Sequence, residues 1–187
     1  MKKTLFIGAV TALFFIQCDT KNDPFSIQKD MIGNLSKDIQ IRQVDSLFSN
    51  DSVVRLNPSR NASQTQGEVE IYEKGGRKLL LISPEDENNP NSLISNIQVF
   101  DKRYKTTKGL NIGSTFKDVK SNYTIVNIET TISAVVVFLK DNDIFITVSK
   151  SELPENLRYN PNAKIEASQI PDDATFKYFM IGWDTSL

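Results

Sequence analysis

Apolar and polar positions change period several times along this chain, and each change marks an expected element. Ile41, Val44, Leu47 and Phe48 recur at three- and four-residue spacing, one face of an amphipathic helix. Ser36 or Asp38 is placed to cap it by accepting a hydrogen bond from a first-turn amide. Phe25–Ile27 before it predicts a short edge strand, and Val53-Val54 after it another extended piece. Val69, Ile71 and Tyr72, with Glu68, Glu70 and Glu73 on the wet side, lead to Gly75-Gly76 and then to Leu79–Ile82. Two glycines between β-rich runs supply the positive φ angles of a tight hairpin turn. Ile94, Ile97, Val99 and Phe100 predict the next strand, running into a basic stretch.

The second half follows a similar course. Thr115 followed three residues later by Asp118 predicts a capping box, with Phe116, Val119 and Tyr123 on one helical face. Ile125, Ile128 and Ile132 lead to Ala134–Leu139, a continuous apolar run suited to a central strand. Asp141-Asn142-Asp143 turns the chain into Ile144–Val148. Ser151–Leu157 reads as one helical turn, and Phe176–Trp183 as a last strand with Trp183 in the core. The polar segments Asn57–Gly67 and Pro84–Asn91 read as loops, the former mobile. Ile32-Gly33-x-x-x-Lys37-Asp38-Ile39 recurs eighty positions on as Ile112-Gly113-x-x-x-Lys117-Asp118-Val119, which raises a repeat of helix-plus-meander units over 25–100 and 101–187. The expected fold is α+β: seven to nine mostly antiparallel strands, with two or three short helices against one face.

The N-terminus has a different pattern. Lys2 and Lys3 precede an apolar run from Leu5 to Ile16, which closes at Gln17-Cys18 and turns polar at Asp19. A run of that length fits a secretory signal peptide and falls short of the ~20 residues of a spanning helix. Phe15-Ile16-Gln17-Cys18 resembles a lipobox of bacterial lipoproteins, in the relaxed form of Bacteroidota, with Phe15 and Gln17 where the strict pattern has leucine and a small residue. The resemblance implies cleavage that leaves a signal peptide over 1–17 and lipidation of Cys18; residues 18–24 then read as a tether, and the length and patterning of 25–187 suit a single α+β domain. The resemblance also implies location in the cell envelope, held by lipid at the outer membrane. Two or more acyl chains hold a protein stably where one holds it only reversibly.

Composition narrows the chemistry. The chain has 187 residues, a formal net charge of −1, one cysteine and no histidine. An exported body whose single cysteine sits at its tether must be stable by packing alone, without an intrachain disulfide. The charge balance gives no basic face for nucleic acid. Absence of histidine removes the commonest general base and a common metal ligand. No cofactor or metal site is expected.

Several short patterns carry alternatives. Ser114-Thr115-Phe116-Lys117 has the Ser-x-x-Lys spacing of penicillin-recognising enzymes, but Ser26–Lys29 matches equally and the companion elements are missing, so a helix cap is the better account. Asp141-Asn142-Asp143 resembles the start of an EF-hand loop, yet Phe145 stands at its fifth position and no glycine follows. Glu85-Asp86-Glu87-Asn88 reads as a solvated acidic run. Asp45-Ser46-Leu47 and Asp51-Ser52-Val53 fit the acceptor pattern of O-glycosylated Bacteroidota envelope proteins, making Ser46 and Ser52 candidate glycosylation sites. Lys102, Arg103, Tyr104, Lys105 and Lys108 form the densest basic stretch, a candidate interaction patch for headgroups, a glycan or an acidic partner.

Lys105–Tyr123, centred on Gly109-Leu110-Asn111-Ile112-Gly113-Ser114-Thr115, resembles a pattern of uncharacterised flavobacterial lipoproteins, and leader and body together look like that family. The resemblance implies no activity. The leading expectation is a non-enzymatic envelope lipoprotein that binds another envelope component through its sheet or loops. A small-molecule or glycan binder comes second. Third is a histidine-independent enzyme relying on carboxylates such as Asp118 or Glu129, or on lysine.

Overall fold

The computed structural model describes residues 23–56, 67–140, 143–159 and 164–183. The leader, Cys18 and most of the tether, the 57–66 segment and Asp141-Asn142 lie outside these residues. The architecture is mostly antiparallel β-sheet with few short helices.

The chain starts with three very short strands, β1 (Ser26–Gln28), β2 (Met31–Ile32) and β3 (Leu35–Ser36). A 3-10 turn over Ile41–Gln43 leads into α1 (Val44–Leu47). A meander follows: β4 (Ser52–Arg55), β5 (Val69–Tyr72), β6 (Lys78–Pro84) and β7 (Ile94–Val99). Next come β8 (Lys105–Thr106) and α2 (Phe116–Asn122), then β9 (Ile125–Thr130), β10 (Ala134–Leu139) and β11 (Ile144–Ser149). The last elements are α3 (Glu155–Arg158) and β12 (Tyr178–Gly182). Eight strands form one sheet in the order β4-β5-β6-β7-β12-β11-β10-β9, and four short ones another in the order β3-β2-β1-β8.

Alternation in the large sheet puts Val69, Ile71, Leu80, Ile82, Ile97, Val99, Phe179, Ile181, Ile146 and Val137 into one buried cluster with Val44, Phe116 and Val119 of the helices. The small sheet adds Ile27, Ile32 and Leu35 to the same core. A bulge between Ile71 and Tyr72 lets Leu79 and Leu80 both turn inward, while Lys78 pairs with Tyr72 on the other face.

Helix followed by four strands occurs twice, and the local geometry matches. Gln40 and Thr115 are the N-caps, and each makes an isolated antiparallel bridge just ahead of the last strand of its own meander, to Leu93 and Thr175. The next amides follow suit: Ile41 donates to the Ser92 carbonyl and Phe116 to that of Ala174, both at 2.9 Å. Arg42 donates to Pro90 and Lys117 to Asp172. Where the two meanders meet, Gln98 pairs with Met180, flanked by Ile97–Ile181 and Val99–Phe179. A two-fold axis through the Gln98–Met180 pair exchanges these flanking pairs.

Four expectations need correcting. Phe25–Ile27 does not form an edge: β1 lies between β2 and β8. The first cap is Gln40, through a capping box with Gln43, because Ser36 is taken up in β3 and Asp38 sits in the turn that Ile39 closes onto Ser36. The strands number twelve among the described residues, because two-residue pairings are too short to show in a hydrophobic period. The eighty-residue echo is out of step with the geometry: Lys37-Asp38 precede the helical segment, whereas Lys117-Asp118 lie within α2. Seventy-five positions separate Ile41 from Phe116, the residues that occupy equivalent places.

Candidate functional site

The large sheet buries one face and leaves the other without a helix or strand across it among the described residues. Side chains alternating with the core line that open face. Across the middle run Glu70, Leu81, Gln98, Met180, Phe145, Phe138 and Asn127, each paired in register with the next. Beside this row lie Val136, Thr147 and Tyr178. The β10–β11–β12 half is therefore apolar and aromatic. Phe138 and Phe145 stack with ring centroids 5.6 Å apart. A Cβ on Gly182 would stand 3.0 Å from the Phe145 ring, so that glycine is what lets the ring lie close against the neighbouring strand.

The β5–β6 half of the face is polar and charged. Glu70 accepts from Lys78 at 2.5 Å and from the Tyr72 hydroxyl at 2.8 Å. Burial alone would raise the Glu70 carboxyl, but the bonds from Lys78 and Tyr72 outweigh it and hold the group below its ordinary value. The Tyr72 phenol is raised, first by its bond to that carboxylate. Lys78 also lies 4.3 Å over the Phe100 ring. Glu68 accepts from Ser83 at 2.8 Å through one oxygen, while its other oxygen is buried without a hydrogen-bond partner among the described residues.

The basic stretch does not form one surface. Tyr104 is buried and meets Phe25 edge-on at 5.0 Å. Arg103 is consumed within the fold: it donates to Asp101 through Nη2 at 2.8 Å and to Glu73 through Nη1 at 2.7 Å, with its guanidinium 4.3 Å from the Phe25 ring. Arg103 holds the Asp101 carboxyl at about 2, well below the usual range, although burial opposes this. Lys108 turns to α2, donating to the Asn122 carbonyl at 2.6 Å and lying over Tyr123. Lys102, Lys105 and Lys108 are exposed with no ion pair among the described residues, and of the three only Lys108 is held by a side-chain hydrogen bond.

Lys108, Ser114, Asp118, Asn122 and Tyr123 border an open cavity of about 270 Å³. Its polar groups are largely engaged. Asp118 accepts from the Thr115 amide at 2.9 Å, which completes the expected capping box, and the Ser114 hydroxyl accepts from the Asn111 amide at 3.2 Å. Glu129 does not line this cavity; it is exposed on edge strand β9 and accepts from Asn127. Asp86 serves its own loop by accepting from the Asn88 amide. Asp143 accepts from the Asp30 amide at 3.2 Å. No group of three or more His, Cys, Asp or Glu is placed to hold a metal ion among the described residues. Ser46 on α1 and Ser52 at the start of β4 are both exposed. Among the described residues no helix is long and apolar enough to cross a membrane.

The residues of the open face escaped sequence reading because Ala134–Leu139 and Ile144–Val148 are apolar at nearly every position. Such runs look alike whether one face or both are covered.

No family model matches the chain, and comparison with curated proteins found no match. Among solved structures, the uncharacterized protein yfeY from Escherichia coli is similar at 15% identity, covering 84% of this chain and 97% of its own, with a TM-score of 0.46.

Proposed function

We propose that this protein is a non-enzymatic lipoprotein of the cell envelope, fastened to the membrane through Cys18, whose open sheet face binds another envelope protein. The observation that carries the binding role is the half-buried apolar set Val136, Phe138, Phe145 and Met180, with Tyr178 exposed beside it, on the inner strands of the large sheet. Extended apolar area on a rigid, hydrogen-bonded platform fits a protein partner better than a small ligand, which favours a concave site. Bringing the second half of the sheet into play is consistent with two related helix-plus-meander units, a reading supported by the paired caps and the symmetric Gln98–Met180 register.

Crosslinking in intact cells followed by affinity capture tests the face. Met180→Lys with Phe138→Lys is expected to abolish a crosslink that wild type forms, at a stability cost of about 1–3 kcal/mol, because both side chains are only partly buried. An unchanged crosslink pattern in the folded variant rules the face out. The anchor is tested separately: wild type should partition into detergent and Cys18→Ser into the aqueous phase.

A second reading, a small polar ligand or glycan, rests on the cavity beside Tyr123, where an aromatic ring, Lys108 and Asn122 border one space. Saturable binding of an oligosaccharide, lost in Tyr123→Ala and retained in the Met180→Lys/Phe138→Lys variant, would favour it.

A further inference from the structure

We infer that the corner of the body built by β1 and β8 faces the bilayer, with Lys102 and Lys105 against the phosphate groups of acidic lipids; this rests on the lipidation of Cys18 proposed above. The argument begins with chain length. Asp23 is already part of the fold: its carbonyl accepts from the Ser26 amide at 3.0 Å and its carboxylate from the Phe25 amide at 3.0 Å. Five residue steps separate Cys18 from Asp23, and at ~3.6 Å per residue they span at most ~18 Å. That reach is less than the width of a domain, so the body cannot turn freely on its anchor.

What lies at the attachment point is then held near the headgroups. The chain is locked in place immediately after Asp23. The Pro24 carbonyl packs where a side chain at Gly33 would stand, and Phe25 is held between Tyr104 and the Arg103 guanidinium. β1 runs parallel to β8, with Ser26 opposite Lys105, and the Lys105 amide donates to the Phe25 carbonyl at 3.0 Å. Lys105 thus sits one strand away from the point where the tether enters, and Lys102 three residues before it. Both are exposed, and neither has an ion pair among the described residues. Several nearby acidic groups are paired: Asp101 with Arg103 and Arg77, Glu73 with Arg103, and Asp30 with Lys37. Asp23 and Asp38 remain as exposed opposing charges, and the half-buried Asp51 and Asp143 stand near the same corner without an ion pair among the described residues.

The test uses the mature chain from Cys18 onward, coupled through its thiol to a maleimide phospholipid in vesicles containing 30 mol% acidic phospholipid. Lysine acetylation rates are read by mass spectrometry for the coupled chain and for the uncoupled Cys18→Ser chain. Lys102 and Lys105 are expected to react at least threefold more slowly when coupled, an effect that shrinks on neutral vesicles and at high salt. Lys102→Gln with Lys105→Gln should lower the affinity of the uncoupled chain for acidic vesicles by roughly 25-fold, given roughly fivefold per lysine at such a surface. Equal acetylation rates in coupled and uncoupled chains, or protection that is the same on neutral vesicles, overturns the inference. Because coupling is chemical, that result is distinct from failure of the natural anchor, which shows as native wild type remaining in the aqueous phase.

Discussion

Replacing Asp101 with asparagine removes the charge at the centre of the ion-pair cluster that follows β7. The carboxylate is buried, with its side chain 2% exposed, and accepts from the Arg103 amide at 2.9 Å, Arg103 Nε at 3.1 Å and Nη2 at 2.8 Å, and Arg77 Nη1 at 3.5 Å. Asparagine keeps an oxygen for the Arg103 amide, so the turn survives and the variant isolates the charge. Arg103, foremost, lowers the folded-state group from 3.8 to about 2. A depressed carboxyl stabilises the fold above its unfolded value and loses that contribution as pH falls through the folded value. The shift corresponds to about 2 kcal/mol above pH 5, falling to about half at pH 3. Urea unfolding of wild type and Asp101→Asn across pH 3–7 should therefore show a gap of about 2 kcal/mol at neutral pH that narrows with acid. At neutral pH the melting temperature should drop by about 4–8 °C. A gap that stays constant with pH, or is absent at pH 7, would refute the assignment of Arg103–Asp101 as a stabilising pair.

Two further outcomes follow from the packing. Phe116→Ala, at a fully buried position where α2 meets the sheet, should cost about 3–5 kcal/mol in chemical denaturation, because a cavity replaces the ring. Gly33→Ala places a Cβ at φ 53° against the Pro24 carbonyl, so it should cost on the order of 2 kcal/mol and expose the segment around β1–β3 to protease before the rest of the body.

The sequence could be read wherever one local rule had no competitor. Thr115 and Asp118 satisfy each other within four residues, and Gly75-Gly76 take up the positive φ angles of their turn, so both were legible without a fold. Trp183, an apolar residue at the end of the last apolar run, is buried as its pattern predicts. Residue type points to Ser36 or Asp38 as the cap, but a two-residue strand and a turn already claim them, and Gln40 does the capping instead. The basic stretch divides between buried, paired and exposed residues for a related reason. Charge density along a strand says nothing about partners brought from elsewhere, and Glu73, thirty residues away, takes up Arg103.

By itself the chain's order of residues determined the kinds of element, their approximate order and the β-rich α+β class, because those depend on side-chain period, capping and turn chemistry within a few residues. Only the tertiary structure decided that the last strand lies at the centre of the sheet, between β7 and β11, and that Phe138, Phe145 and Met180 share one face, which no described helix or strand crosses. Strand neighbours are chosen by pairing between segments far apart in sequence, and an apolar side chain carries no mark of whether the space in front of it will be filled.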